Sequence, residues 1–315
     1  MGAADRPALV IAGPTASGKS ALALAVAEEF GGTVINADSL QVYAVLRVLT
    51  ARPTAGDEAR VPHRLYGVLD PAEACSAARW RDLAAAAMDE AWQSGRLPVV
   101  VGGTGLYLRA LIDGLSPIPE IPAEVREEAR ARLEDLGNAA FHAELARLDP
   151  VMAARLDAGN SQRLARAWEV RVATGRSLAE WQAEPPRGGV AADWLALTLM
   201  PPRDALHAAC DGRFRRMVDT GALAEVEALL ARRLDPALPA MKALGVPELA
   251  AHLEGGLDLD AAVARATQAT RHYAKRQLTW FRHQVPAAHP IAEQFSESLP
   301  VRIFPFIRRF LLTHG

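Results

Sequence analysis

Ala8-Leu9-Val10-Ile11-Ala12-Gly13-Pro14-Thr15-Ala16-Ser17-Gly18-Lys19-Ser20 passes from an apolar run into a glycine loop. Residues 21–29 follow, alternating alanine with leucine before two glutamates. This is strand, loop, helix, the setting that the pattern G-x-x-x-x-G-K-[ST] over 13–20 requires. Glycines let such a loop turn tightly enough for backbone N–H groups to converge on phosphate oxygens. The positive end of the helix starting near Lys19 aids them. Lys19 supplies a mobile point charge, and the Ser20 hydroxyl is a ligand for Mg2+. Gly13, Pro14, Thr15, Ala16, Ser17, Gly18, Lys19 and Ser20 are therefore read as a site for a di- or triphosphate.

Outward from this loop, Gly31-Gly32 turns the chain into Thr33-Val34-Ile35-Asn36-Ala37, a β-branched run that stops at Asp38. A helical stretch from Ala77 to Ser94 carries Trp80, Leu83, Ala87 and Ala91 on one side. Gly95 ends it, and Leu97-Pro98-Val99-Val100-Val101 is a third strand closed by Gly102-Gly103. Strands separated by helices predict a parallel sheet with right-handed crossovers. At Ser116-Pro117-Ile118-Pro119-Glu120-Ile121-Pro122 the closely spaced prolines prevent continued helix. From there to about 182 the patterning is helical, with Val125, Ala129, Leu133 and Leu136 marking one helix and Leu164, Trp168 and Val172 another. Glu184-Pro185-Pro186-Arg187-Gly188-Gly189 closes that segment, residues 194–200 read as one more strand, and helices follow at about 203–233, 246–253 and 260–283. The expected fold is α/β: a P-loop NTPase-like three-layer core with a parallel sheet, formed by 1–118 and 190–292. An all-helical insertion at 119–189 interrupts it, and a tail without recognisable pattern occupies 293–315.

The 315 residues are 50% hydrophobic and 23% charged, an ordinary globular composition. With Lys+Arg 35 against Asp+Glu 37 there is no global charge excess to announce a nucleic-acid or membrane partner, so any basic surface must be local. Only Lys19, Lys242 and Lys275 among the basic residues are lysines, which marks places where an ammonium rather than a guanidinium is needed. Apolar runs are alanine-rich and broken by charge, and 8–12 is too short for a signal-peptide core, so no membrane span or export signal is expected. The Met-Gly-Ala-Ala-Asp-Arg start has Arg6 where a myristoylation signal needs Ser or Thr. Cys75 and Cys210 read as two reduced thiols of a cytoplasmic protein.

Asp38 stands at the carboxyl end of the second strand, where ligands gather in doubly wound sheets. It can ligate Mg2+, accept a proton from a nucleophile, or cap the next helix, a task open to Ser39 as well. Gly102-Gly103-Thr104-Gly105 is a second glycine turn at the same sheet edge, with the Thr104 hydroxyl available to the same crevice. No acid occurs from Ala261 to Ala292, while Arg265, Arg271, Lys275, Arg276 and Arg282 lie there with His272 and His283. Helical spacing puts Arg271, Lys275 and Arg282 on one face, an arrangement that favours a polyanionic partner. Trp280 and Phe281 read as core anchors. In the insertion, Asn160-Ser161 can cap a helix whose first turns carry Gln162, Arg163 and Arg166, with Leu164 and Trp168 pointing inward. Arg213, Arg215 and Arg216 lie on another helix, and spacing does not choose which of them reaches a diphosphate.

GPTASGKS (13–20), INADSLQVY (35–43), VPHRL (61–65), VGGTGLYLRALIDGLSPIP (101–119), NSQRLARAWEV (160–170), MKALGVPEL (241–249) and TRHYAKRQLTWFR (270–282) together resemble the tRNA dimethylallyltransferases, or tRNA isopentenyltransferases. The matches run in order from about residue 8 to 283. The resemblance implies a P-loop core like that of nucleotide kinases and a helical insertion gripping the anticodon stem-loop of tRNA. It further implies transfer of a dimethylallyl group from dimethylallyl diphosphate to N6 of the adenine immediately 3′ of the anticodon, with release of diphosphate. On that footing Asp38 is the general base on the amine, and Thr15 through Ser20, within the loop 13–20, cradle the diphosphate. Lys19, Arg213 and Mg2+ stabilise the leaving group, the metal being held by Ser20 and Asp38. Asp38, Ser39, Leu40, Gln41, Thr104, Arg126, Gln162, Arg163, Leu164, Ala165 and Arg166 would touch the tRNA, joined by Arg271 and Lys275 from the acid-free helix. A monomer in the cytoplasm is expected.

The chemistry of the residues accords with this. An adenine amine is a poor nucleophile because its lone pair is delocalised, so removing its proton as the bond forms helps. An allylic carbon ionises readily once the departing diphosphate is stabilised. Leu49-Thr50-Ala51-Arg52-Pro53 departs from the family's Gly-Thr-Ala-Lys-Pro, Val246 replaces a tyrosine, and Tyr66-Gly67 stands for Ile-Asp. The rival readings are a P-loop small-molecule or nucleotide kinase, an adenylate isopentenyltransferase acting on free AMP, and a non-catalytic RNA-binding NTPase.

Overall fold

The computed structural model describes residues 6–284 and 289–314. The first five residues, read above as lacking a lipidation signal, and 285–288, within the acid-free run, lie outside them.

The chain forms two compact units, 1–112 with 190–315, and 113–189. The first opens with β1 (Pro7–Ala12), α1 (Lys19–Glu29), β2 (Gly32–Asn36), α2 (Ala55–Arg60), β3 (His63–Arg64), α3 (Ala77–Gln93), β4 (Leu97–Gly102) and α4 (Gly105–Ile112). The second holds β5 (Gly114–Leu115), α5 (Ala123–Leu148), α6 (Pro150–Arg155), α7 (Ser161–Thr174), α8 (Leu178–Ala183) and β6 (Arg187–Gly188). The first unit resumes with β7 (Asp193–Leu199), α9 (Arg203–Asp219), α10 (Ala222–Ala231), α11 (Val246–Leu253), α12 (Leu259–Gln284), β8 (His289–Ile291) and α13 (Leu299–His314).

Six strands form one sheet in the order β3-β2-β4-β1-β7-β8, every pair parallel. Alternation along β1 makes the layers: Ala8, Val10 and Ala12 join the core under α3 and α4, while Leu9 and Ile11 join the one under α1 and α13. Both faces are covered, which is why these strands read as unbroken apolar runs. A third core, including Leu46, Phe214, Val226, Val246, Leu249 and Ala266, ties α9 to α12. Packing on the α3 face falls to Trp80, Ala84, Ala87, Met88 and Ala91, with Leu83 half-buried.

Several expectations need correction. The helix anticipated over 203–233 is two, α9 and α10, because Gly221 adopts a left-handed φ of 115° between them. The segment at 293–315 carries α13, whose pattern Pro300 and Pro305 obscure. The inserted unit starts at Asp113 rather than 119, and it is not purely helical: β5 and β6 pair antiparallel at its base. Its core is Phe141, Leu145, Leu164, Trp168 and Val170 with their neighbours. Leu136 and Val172, expected on inner faces, are exposed, the former just before a break in helical geometry at Gly137.

Candidate active site

The glycine loop leaves β1 and feeds α1, whose N-terminus is capped by Gly18 in a left-handed conformation. Lys19 folds back to donate to the Pro14 carbonyl (3.3 Å). Burial lowers the Lys19 ammonium from 10.5 to about 8; nearby Asp38 pulls against that shift and Arg213 adds to it. Ser20 is exposed at the mouth of the loop, and Ser17 is fully buried with no hydrogen-bond partner for its hydroxyl among the described residues.

Asp38 is held two residues beyond β2 by Asn36, a fully buried side chain. The Asn36 carbonyl oxygen accepts from the Asp38 N–H (2.9 Å), and its amide donates to the carbonyls of Asp38 and Leu65 (both 3.0 Å). Asp38 in turn accepts from the Leu40 N–H through Oδ1 (2.9 Å). That is the local capping role, and it uses one oxygen; no other protein hydrogen bond reaches the carboxylate among the described residues. Ser39 donates its N–H to the Thr104 hydroxyl (3.0 Å), joining this turn to the glycine turn after β4. Burial first, then the Asp38 charge, raises the Tyr66 and Tyr273 hydroxyls, so both remain protonated donors beside it.

Arg213 is the arginine of α9 that reaches the loop, donating to the Thr15 hydroxyl (3.0 Å). Burial depresses its guanidinium, opposed by Asp38. Arg215 instead pairs with Asp260 (2.9 Å), and Arg216 is exposed. The three groups that converge are thus a carboxylate, an ammonium and a guanidinium, from the turn after β2, from α1 and from α9. A fourth, Gln277, escaped the sequence reading. Nearly buried on α12, it accepts from the Thr15 N–H and donates to the Gly103 carbonyl (both 2.8 Å), clamping the phosphate loop to the second glycine turn. Its signal in the sequence was its place inside TRHYAKRQLTWFR (270–282), a neutral amide within a cationic helix.

The acid-free run is less bare than it reads. Asp211 of α9 forms a two-pronged ion pair with Arg271, so that residue is not an uncommitted cation. Both partners are about two-fifths exposed, so solvent screens the pair and it adds little to stability. Lys275 has no ion-pair partner among the described residues. A cleft of about 750 Å3 between α9 and α12 is lined by Arg203, Arg215, Arg271 and Lys275 against Asp211 and Asp260, leaving a cationic excess. Trp280 and Phe281 pack edge to face (5.3 Å) in the sheet core, as anchors.

In the inserted unit, Asn160 caps α7 by accepting from the Arg163 N–H (3.3 Å). Gln162 and Arg163 are exposed, Ala165 and Arg166 half-buried, and Arg126 is exposed on α5. Leu164 is completely buried in the helical core, so its side chain offers RNA nothing; the physical role of that position is packing.

Two of the departures from the family pattern meet in space. The Arg52 guanidinium donates to the carbonyls of Tyr43 (3.3 Å) and Ala44 (3.0 Å) and lies over Gly67, where a Cβ would come within 2.2 Å of it. The guanidinium at 52 thus occupies the space a side chain at 67 would take, and Gly67 itself has a left-handed φ of 62°. Leu49 and Val246 are both buried in the core of α9 to α12.

A family model described as IPP transferase matches residues 41–284, and one described as isopentenyl transferase matches 7–71. The tRNA dimethylallyltransferase of Paramagnetospirillum magneticum is 63% identical over 313 residues, 99% of each chain. The crystal structure of the tRNA isopentenylpyrophosphate transferase of Bacillus halodurans aligns over 98% of each chain with 32% identity and a TM-score of 0.71. A eukaryotic dimethylallyltransferase acting on tRNA superposes with a TM-score of 0.83 over 98% of this chain and 80% of its own; at 24% identity it bears on the fold alone.

Proposed function

We infer the reaction from one premise: the chain belongs to the IPP transferase family, whose relatives above are tRNA dimethylallyltransferases. It is a prenyltransferase that moves a dimethylallyl group onto tRNA. We propose that the donor is dimethylallyl diphosphate and the acceptor is N6 of the adenine immediately 3′ of the anticodon. The observation carrying this is that Lys19 and Arg213 meet at the 13–20 loop, one donating to the Pro14 carbonyl and the other to the Thr15 hydroxyl, with the Asp38 charge acting on both.

In this reading, residues 13–20 hold the diphosphate, Lys19 and Arg213 face its oxygens, and the free oxygen of Asp38 takes the proton from the amine. The C–N bond forms as the allylic C–O bond breaks, and the electron pair leaves with the diphosphate. The donor set fits Mg2+, which favours a hydroxyl, a carboxylate, waters and phosphate oxygens. Ser20 with Asp38 would hold the ion, and its charge would stabilise the leaving group. Extruding the base from its stack costs a few kcal/mol, offset by contacts from Ser39, Leu40, Gln41, Thr104, Arg126, Gln162, Arg163, Ala165, Arg166, Arg271 and Lys275. No helix among the described residues is long and apolar enough to cross a membrane, and both cysteines are free thiols. A cytoplasmic monomer is part of the same proposal.

The deciding experiment incubates the protein with dimethylallyl diphosphate, Mg2+ and unmodified tRNA, then resolves the nucleosides by mass. Prenylated adenosine from the anticodon loop is expected. Prenylation of free AMP alone, or ATP consumption without prenyl transfer, would move the chain to one of the rival classes.

The depressed Lys19 sets a pH limb. Below about 8 the ammonium is charged and attracts diphosphate; above it the free enzyme loses that charge. We expect kcat/KM for the prenyl diphosphate to fall as pH rises through that value, while kcat holds to more alkaline pH because the bound anion restores the proton. Asp38→Asn removes the influence that raises Lys19, so diphosphate affinity in that variant should decline at lower pH. A flat profile, or a limb displaced upward, would contradict this placement of charge.

A further inference from the structure

Residues beyond 284 lie outside both family-model matches, yet they reach the phosphate loop. Two anchors hold them. β8 adds to the sheet edge beside β7, with Met200 donating to the Ile291 carbonyl (2.7 Å). α13 packs on α1: Phe304 meets Phe30 edge to face (5.5 Å), and Arg308 pairs with Glu29. Between the anchors the chain runs along the loop. The Gln294 amide donates to the Ala16 carbonyl (3.0 Å), and the Phe295 N–H donates to the Ser17 carbonyl (3.1 Å). Contact is close enough that a Cβ on Gly18 would stand 2.2 Å from that of Phe295.

These two carbonyls belong to the strained part of the loop. Ala16 has φ of 63°, a left-handed conformation that an L-residue keeps only where its surroundings enforce it. A peptide plane is rigid, and its C=O and N–H point opposite ways. Fixing the Ser17 carbonyl toward Phe295 therefore turns the Gly18 N–H away from the strap, and fixing the Ala16 carbonyl sets the plane before it, whose Ser17 N–H closes the turn by donating to the Pro14 carbonyl (3.3 Å).

We propose that 292–298 is a positioning strap for the phosphate loop, with Gln294 and the Phe295 amide as positioning groups that fix the 16–18 backbone so that the Gly18 N–H stands ready for a diphosphate. The proposal rests on the reading of residues 13–20 as a diphosphate cradle. The strap touches no substrate; it acts through the loop.

Calorimetric titration of the full chain with inorganic diphosphate and Mg2+ tests it, beside Gln294→Leu, which removes the donor, and Phe295→Pro, which removes the N–H. Each variant should bind diphosphate about 3–10-fold more weakly, the size of one hydrogen bond, with KM for the prenyl diphosphate rising in step. Affinity for tRNA and the melting temperature of Gln294→Leu should stay at the wild-type level, and Phe295→Leu, which keeps the N–H, should bind like wild type. Unchanged diphosphate affinity in folded Gln294→Leu overturns the strap. So does an equal loss toward diphosphate and tRNA with a lower melting temperature, which marks a merely structural contact. A wild-type chain that does not bind diphosphate overturns the cradle itself, a separate result.

Discussion

Asp38→Asn is expected to lower kcat for prenyl transfer by about 10²–10⁴-fold, the usual worth of a positioned general base, with tRNA affinity nearly intact. The asparagine keeps the oxygen that accepts from the Leu40 N–H, so the turn survives and only the proton acceptor is lost. Asp38→Ala removes both and should be no less impaired. Comparing the two separates catalysis from capping: an asparagine variant with wild-type turnover would make Asp38 a cap. A large loss of tRNA affinity with chemistry preserved would make it a binding residue. Single-turnover rates with prebound tRNA measure the difference.

Arg213→Ala should cost about 10²–10³-fold in kcat, as does removal of one donor aimed at charge that develops in a transition state. Its guanidinium already stands over the Thr15 hydroxyl in the field of Asp38, so it needs no reorganisation as the diphosphate departs. Arg216→Ala is the control on the same helix, exposed and without a hydrogen bond to the 13–20 loop, and should turn over nearly like wild type. Arg213→Lys should recover little, because an ammonium lacks the planar fork. A loss confined to KM would show Arg213 to be a binding group without a share in the chemical step.

The legible parts of the molecule are those written in consecutive residues. β1, the phosphate loop and α1 form a single local unit, and β2, β4 and β7 announce themselves because a sheet covered on both faces demands apolar runs. β3 and β8 do not, being edge strands of two and three residues with too few side chains to show a period. α13 stayed hidden because its prolines interrupt the spacing on which a helix is recognised. The acid-free helix shows the same limit for charge. Asp211, sixty positions before Arg271, pairs with it, and no reading of α12 alone contains that acid.

By itself, then, the chain's order of residues settled that a glycine loop of the P-loop pattern sits on a parallel sheet, because loop amides, helix end and lysine are neighbours along the backbone. Which arginine turns toward Thr15, which glutamine clamps that loop to Gly103, and which carbonyls Gln294 and Phe295 hold were decided only by folding. Those partners lie between 174 and 278 positions apart. Hydrogen bonds act over about 3 Å, so only the packing of α9, α12 and the final strap against the sheet brings such groups within range.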